Sequence, residues 1–532
     1  MWRLYVPLLL SQFLDRAVKL YGKKTALIDD GKSFTYEEVN DRVNQLSHGL
    51  RHLGVTKGDR VAYLAPNSSE MFEGFYGVFQ LGAIIVPLNT RLIPSDYAYI
   101  LNHSETKILF VDHELLQHIE PIRDQLKTVE RIIVHGQGEA NDWTISYEAW
   151  LSRFEKTPVD RPEMDERDIA TLLYTSGTTG KPKGVMLSHR SNYLHALTTM
   201  HHLRISDRDT FLHILPMFHV NGWGSPFYYT ANGATQVCLR RVRPEDIFPK
   251  IYKYKVTVMH MAPTVLNSLL QYAATYGYKK QEQDIRIVVA GSAPPPAFVK
   301  RVEEELEWEF IQVYGMTEAS PLITTSIIRD TQLKLPKEEK YRLKAKAGYE
   351  FIGSDVRVVN EYGEDIAHNG QEIGEIIVRS NTVMEGYLNN QQGTDEVIRD
   401  GYYHTGDMAI VDEEGNIEVA DRKKDIIISG GENISSIEVE GVLYDHPAVL
   451  EVAVISVPHA KWGETPQAIV VKREGHEVTE EELIAFSRSR LAHFKAPTKV
   501  VFTNELPKTA SGKIQKVHLR KEYWNEKEKF VN

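Results

Sequence analysis

The stretch YTSGTTGKPKG, Tyr174–Gly184, packs three glycines, three threonines, one serine and two lysines into eleven residues. Gly177, Gly180 and Gly184 let the backbone approach a ligand closely. Hydroxyls of Thr175, Ser176, Thr178 and Thr179 can bond phosphate oxygens, and Lys181 and Lys183 add point charge. The chemistry that suits this set is the holding of an oligophosphate. It is not a Walker A loop, because Thr175 stands where that motif needs its first glycine and Pro182 follows Lys181. The strand IATLLY before it and the run VMLSH after it set it apart from a plain flexible loop.

Five further segments carry residues of the right types. AGSAPPPAFV sets Gly291, Ser292 and Ala293 just after the strand IRIVV, at the kind of strand end where α/β sheets bind ligands. In QVYGMTEAS, Tyr314 offers a stacking face, Gly315 a tight approach, Thr317 a hydroxyl and Glu318 a carboxylate suited to a magnesium-bound phosphate. In YYHTGDMA, Asp407 has the position of an acid that takes ribose hydroxyls. DRKKDIIISGGENISS and LPKTASGKIQK are polar tracts, the second carrying Lys513. Each alone also reads as an ordinary turn, cap or solvated loop. His201, His202, His213 and His219 lack any zinc spacing. His219 and Trp223, in LPMFHVNGWG, read as the aromatic, movable wall of an apolar pocket.

These loops need elements to hold them. SFTYEEVNDRVNQLSHGLRHLG is a helix with Thr35 as N-cap, Glu38 three residues on and Gly54 as its stop, preceded by a hairpin through Asp30-Gly31. Strand and helix then alternate through RVAYLAP, AIIVPLN, KILFVD, RIIVHG, VTVMHMAP and IRIVVAGSAP, which predicts stacked α/β layers with mostly parallel sheets. From about Lys346 the pattern turns β-rich, in SDVRVVNEYGEDI and GEIIVRSNTVMEGYL, as a small barrel or sheet. After DRKKD a small α+β unit follows, so the expected domains are 1–423 and 424–532.

The 532 residues exceed what one core supports, and 42% hydrophobic with 25% charged residues is a soluble globular composition. A net charge of −11 disfavours nucleic acid as the main partner. Cys238 is the only cysteine, so no disulfide framework forms. It sits in the strand-like ATQVCLRR and reads as a packed thiol in a reducing, cytoplasmic setting. The N-terminal LLLSQFLDRAVKLYG reads as an amphipathic helix, and no apolar run reaches membrane-span length.

Taken in order, YTSGTTGKPKG, LPMFHVNGWG, GSAP, YGMTE, YHTGD, DRKKD…SGGEN and PKTASGKI resemble the adenylate-forming superfamily, from about Ser33 to Lys516. FHVNGW, YILNHSE and PHAKWGE are most similar to bacterial medium- to long-chain fatty acyl-CoA synthetases. The resemblance implies a large N-terminal domain of stacked α/β sheets plus a β-barrel, and a small mobile C-terminal domain. It implies ATP, Mg²⁺ and coenzyme A as partners and activation of a fatty acid through acyl-AMP. Another carboxylic acid, aryl or short or branched, or a separate acyl-carrier protein as acceptor, stays open, as does a homodimer. A luciferase-like oxidation and a non-catalytic AMP sensor are the other readings; Lys513 and Glu318 together argue against the sensor.

By the same resemblance Thr175 and Glu318 match Mg²⁺ positions, Gly291, Ser292, Ala293 and Tyr314 the adenine site, and Gly315 belongs with the ATP/AMP-binding residues. The loop Thr175–Gly180 with Lys183 would hold the β- and γ-phosphates, Thr317 the α-phosphate, and Asp407 and Arg422 the ribose. Lys513 would bridge the attacking carboxylate and the α-phosphate. Gly430 and Gly431 match the pantetheine tunnel, Lys424 the hinge, and Trp223 the acyl gate. Asn433 departs from relatives that carry Trp after Gly-Gly-Glu.

Overall fold

The structure is a computed structural model that describes residues 4–136, 138, 140–175, 181–291, 294–423, 425–429, 432–459, 461–508 and 514–524. Local sequence signals set the first elements. Asp30 and Gly31, both at positive φ, turn the strand Thr25–Asp29 into Lys32–Thr35. Thr35 and Glu38 then form the reciprocal capping box of the helix Tyr36–His52. The amphipathic N-terminal segment is the helix Ser11–Tyr21, with Phe13, Leu14 and Ala17 buried.

Two large sheets dominate the N-terminal part. One has nine strands, and its parallel centre runs Thr25–Asp29, Thr235–Cys238, Thr210–His213, Val258–Met261, Arg286–Val289 and Glu309–Gly315. The other has eight, with Ile169–Thr175, Ile84–Pro87, Arg60–Leu64, Thr106–Asp112 and Arg131–His135 parallel at its centre. Their central strands are largely buried and mostly apolar, with His213, Gln236, His260 and Gln312 among the buried polar exceptions. One core joins Ile85, Phe110 and Val185 of the second sheet to Phe211, Val288 and Val313 of the first. Cys238 lies inside it, 1% exposed, and burial pushes its thiol well above the usual range.

The β-rich stretch after Lys346 is an antiparallel five-stranded sheet built from Ser354–Val359, Gly374–Ser380, Tyr402–Val411, Ile398–Arg399 and Ile417–Arg422. Beyond it, a smaller unit pairs Val449–His459 with Gly463–Lys472 under the helices Ser436–Tyr444 and Glu480–Arg488, with its own core at Val439, Leu443, Val454 and Val470. No helix among the described residues is long and apolar enough to cross a membrane.

Candidate active site

The glycine-rich loop closes an antiparallel hairpin: Thr175 faces Lys183 and Tyr174 faces Gly184. Ser176, Gly177, Thr178, Thr179 and Gly180 lie outside the described residues. The far arm is joined by a short strand, Gly386–Tyr387, that pairs with Val185 and Met186. Tyr387 then meets two charged residues. Lys183 Nζ lies 4.8 Å from its ring centroid, and its hydroxyl donates to Glu318 Oε1 at 3.0 Å. The backbone N–H of Met384 donates to the Glu318 carbonyl at 2.8 Å. Three segments remote in sequence thus converge on one residue.

Glu318 is carried by a tight return of the chain. The strand Glu309–Gly315 comes back as Leu322–Thr325, and a single turn, Thr317–Ala319, sits between them. A Cβ at Gly315 would stand 2.0 Å from the Pro321 carbonyl oxygen, which is backbone and cannot swing aside. Gly315→Ala is therefore expected to destabilise the fold by about 1–3 kcal/mol, read as a lower Tm; an unchanged Tm contradicts this packing. Burial pushes the Glu318 carboxyl above the usual carboxylate range, while Tyr387, Arg422 and Lys183 pull the other way. Thr317, beside it, is 8% exposed.

Tyr314 donates to Asp407 Oδ2 at 2.8 Å, and burial holds that phenol well above its ordinary value. Asp407 follows a bulge in the β-rich sheet: Gly406 has φ 71°, and pairing with Gly374–Ser380 shifts register there. A bulge of this kind re-aims the next side chain. It is pinned on three sides. The Gly406 N–H donates to Glu375 Oε1 at 3.1 Å, the Asp407 N–H to Thr405 Oγ1 at 3.1 Å, and the Lys423 N–H to the Gly406 carbonyl at 2.9 Å. Arg422, half-exposed, pairs in register with Asp407 at 3.5 Å. Gly291, with φ 114°, ends its strand as expected, whereas Ser292 and Ala293 lie outside the described residues.

The segment after His219 has an unusual backbone. Val220, Asn221, Gly222, Trp223 and Gly224 all have positive φ, between 49° and 77°. Left-handed residues with a side chain cost roughly 1–2 kcal/mol each, so contacts must hold the turn. Asn221 Nδ2 donates to Thr171 Oγ1 at 3.2 Å and to Asn192 Oδ1 at 3.3 Å. Trp223, 6% exposed, stacks on His260 with ring centroids 5.7 Å apart. Tyr228 and Tyr229 hydroxyls in turn meet the two ring nitrogens of His260, at 3.3 and 3.1 Å. Burial drives His260 well below its ordinary pKa, and His195 and His213 down to about 3, so all three rings are neutral. His195 Nε2 accepts from the Leu322 N–H at 3.3 Å, which ties this aromatic wall to the turn that carries Thr317 and Glu318.

Lys513, Gly430, Gly431 and Lys424 lie outside the described residues, but their neighbours are joined in one network. Lys508 and Ile514, on either side of the segment that contains Lys513, form an antiparallel bridge. The helix after it, Lys516–Lys521, reaches back to both sides of the expected hinge. Lys516 Nζ pairs with Glu440 at 2.7 Å and donates to Ser436 Oγ, and Ser436 donates to Asp421. Arg520 pairs with Asp425 at 2.5 Å. Sequence reading missed Tyr387, Glu375 and His260. None has a local pattern to mark it, since each acts on a partner far along the chain.

The residues fit Mg²⁺ as a hard cation. Glu318 supplies a carboxylate, one oxygen of which accepts from Tyr387, and Thr175 supplies a hydroxyl. No group of three or more His, Cys, Asp or Glu among the described residues could hold a metal by itself. That is the usual manner of Mg²⁺, which takes one or two carboxylates and leaves the rest of its shell to phosphates and water.

Residues 14–388 match the family model for AMP-binding enzyme, and residues 438–513 the model for the AMP-binding enzyme C-terminal domain. The chain is 37% identical to trans-cinnamate:CoA ligase, peroxisomal, of Petunia hybrida, over 97% of this chain and 94% of that one. It is 39% identical to the long-chain-fatty-acid–CoA ligase of Thermus thermophilus, over 97% and 96%. The crystal structure of the anthranilate CoA ligase AuaEII in complex with anthranoyl-AMP superposes with a TM-score of 0.89 at 28% identity, covering 98% of both chains. Both family models, in their proper order and on the two parts that the fold separates, place this chain in the AMP-binding enzyme family, the adenylate-forming enzymes.

Proposed function

We propose that this chain is an ATP-dependent, AMP-forming acid–CoA ligase. A carboxylate oxygen of the acid attacks the α-phosphorus of ATP, the bond to the β-phosphate breaks, and pyrophosphate leaves. The CoA thiolate then attacks the acyl carbon, and AMP leaves with the bridging oxygen. The carrying observation is the meeting of Lys183, Tyr387 and Glu318 beside the Tyr314–Asp407 pair, which sets a cation and a carboxylate next to an aromatic and ribose-binding edge. Lys183 and the loop hold the leaving phosphates. Tyr314, Gly315 and Gly291 border the adenine, Thr317 donates to the α-phosphate, and Asp407 and Arg422 take the ribose. Thr175 and Glu318 would hold Mg²⁺, which when bound neutralises charge on the phosphates.

Asp407→Ala removes a charged acceptor of ribose hydroxyls and is expected to raise KM for ATP by about tenfold or more. A KM equal to that of the wild type would place the ribose elsewhere.

We further propose that the acid is small, short-chain or aryl, rather than medium- or long-chain. In support, Trp223 is buried against His260, and that histidine is itself fixed by two tyrosine hydroxyls, which suits a built wall. The cinnamate and anthranilate relatives point the same way. The long-chain reading is favoured by Gly222 and Gly224 on either side of Trp223, which let its ring swing, and by the Thermus relative. A series from acetate to palmitate, with benzoate and cinnamate, decides between them by kcat/KM for pyrophosphate release with and without CoA. A maximum at a short or aryl acid is expected. Each buried methylene contributes about 0.8 kcal/mol, so a steady climb to palmitate would show an open tunnel and overturn the small-acid reading. Release with no acid of the series would overturn the ligase.

A further inference from the structure

The segment YILNHSE, Tyr99–Glu105, has no part in the chemistry of adenylation, yet it touches the phosphate loop on both sides. Tyr99 and His103 lie on the helix Pro94–His103, one turn apart, and so share a face. Their rings stack with centroids 5.3 Å apart. His103 Nδ1 and the Tyr174 hydroxyl share a hydrogen bond of 2.8 Å, and Tyr174 is the penultimate residue of the arm that leads into the loop. The Tyr99 hydroxyl donates to the Pro182 carbonyl at 3.3 Å, on the arm that leads out. Lys181 Nζ lies over the Tyr99 ring, 5.1 Å from its centroid. One stacked pair therefore grips the loop at both feet.

We propose that Tyr99 and His103 are positioning residues for the polyphosphate of the nucleotide: they fix the spacing of the two feet, Tyr174 on one side and Lys181 with Pro182 on the other, and with it the places of Thr175 and Lys183 toward the leaving pyrophosphate. The physical reason is entropy. Groups carried on arms that are already held, such as Thr175 and Lys183, lose less freedom on meeting an anion, and that lowers the cost of binding it. Neither side chain needs to touch the nucleotide. Tyr174 keeps its proton because burial raises its pKa, and burial lowers that of His103, helped by Lys181 and opposed by Glu105. The bond between them is thus neutral and is present at physiological pH. The inference rests on the reading of Tyr174–Gly184 as the phosphate loop.

The test compares two reactions of the full chain. ATP–pyrophosphate exchange needs the loop; thioester formation from preformed acyl-AMP and CoA does not. Tyr99→Ala is expected to raise KM for ATP in exchange about tenfold and to leave the second reaction within about twofold, since no β- or γ-phosphate takes part in it. Tyr99→Phe keeps the stack and the lysine contact, so its rise should be only about two- to threefold. His103→Ala should resemble Tyr99→Ala, and His103→Gln, whose amide oxygen can accept from Tyr174, should restore much of the loss. Should Tyr99→Ala not fold, the two His103 variants carry the comparison. Equal loss of both reactions, or a wild-type KM for ATP in Tyr99→Ala and His103→Ala, overturns the clamp. Lys183→Ala separates the clamp from the reading beneath it. If Lys183→Ala raises KM for ATP and the clamp variants do not, the clamp alone falls; if Lys183→Ala changes nothing, the loop reading fails and the clamp with it.

Discussion

Lys513→Ala is expected to slow ATP–pyrophosphate exchange by a factor of about 10²–10³ and to leave thioester formation from preformed acyl-AMP near the wild-type rate. An ammonium placed between a carboxylate and an α-phosphate offsets their repulsion on approach. It stabilises the charge they share in the transition state more than either alone, which is what raises the rate. The split between half-reactions is expected if the C-terminal unit turns between the two proposed steps. Asp421 and Asp425 flank the hinge position, and through Ser436, Lys516 and Arg520 they hold the helix that follows Lys513. We propose that a turn at this position withdraws Lys513 once the adenylate has formed; it would keep the Arg520–Asp425 pair on the C-terminal side and break the Ser436–Asp421 bond that crosses it. Stopped-flow and exchange assays on the same preparation read the two rates. Normal exchange, or equal loss of both rates, would remove Lys513 from the adenylation step.

Glu318→Gln should cost exchange a comparable factor, about 10²–10³, with a raised Mg²⁺ requirement. It should not cost stability. The fold holds a carboxylate whose pKa burial has raised, and a neutral amide of the same shape relieves that penalty while still accepting from Tyr387. Tm is therefore expected to stay level or rise as activity collapses, the pattern of a group kept for chemistry at some expense of stability. Tyr387→Phe removes one neutral hydrogen bond to the same carboxylate and should slow exchange only about three- to tenfold. A Glu318→Gln variant that loses Tm and activity together would mark the residue as structural.

Much of this architecture can be read from short stretches of chain. The Asp30-Gly31 turn, the Thr35/Glu38 capping box and the helix stop at Gly54 are local effects, each complete within a few residues, and all three stand as the sequence implies. The strand before the loop and the turn after the strand that ends in Tyr314 and Gly315 also lie where the motifs put them, whereas Asp407, expected at a strand end, follows a bulge inside the strand Tyr402–Val411. What the chain conceals is pairing at a distance. Tyr387 and Glu318 are 69 residues apart, and Tyr314 and Asp407 are 93 apart. Neither contact leaves a periodic trace, because sheet order decides it. The left-handed run at Val220–Gly224 is hidden for a different reason: two of its residues are glycines, but Val220 and Trp223 resist that conformation, and only tertiary contacts impose it. An aromatic beside two glycines suggests mobility, whereas His260 gives the ring a fixed partner.

The claim that most needs testing is the acyl-adenylate itself. The acid with the highest kcat/KM in the series, labelled with ¹⁸O in both carboxylate oxygens, is to be turned over with ATP and CoA and the products read by mass spectrometry. If the carboxylate attacks the α-phosphorus and AMP leaves with the bridging oxygen, the AMP carries one ¹⁸O, the thioester keeps the other, and pyrophosphate carries none. Label in phosphate or pyrophosphate, or unlabelled AMP beside a formed thioester, would contradict the adenylate route, and with it the adenylation roles of Glu318, Thr317 and Lys513.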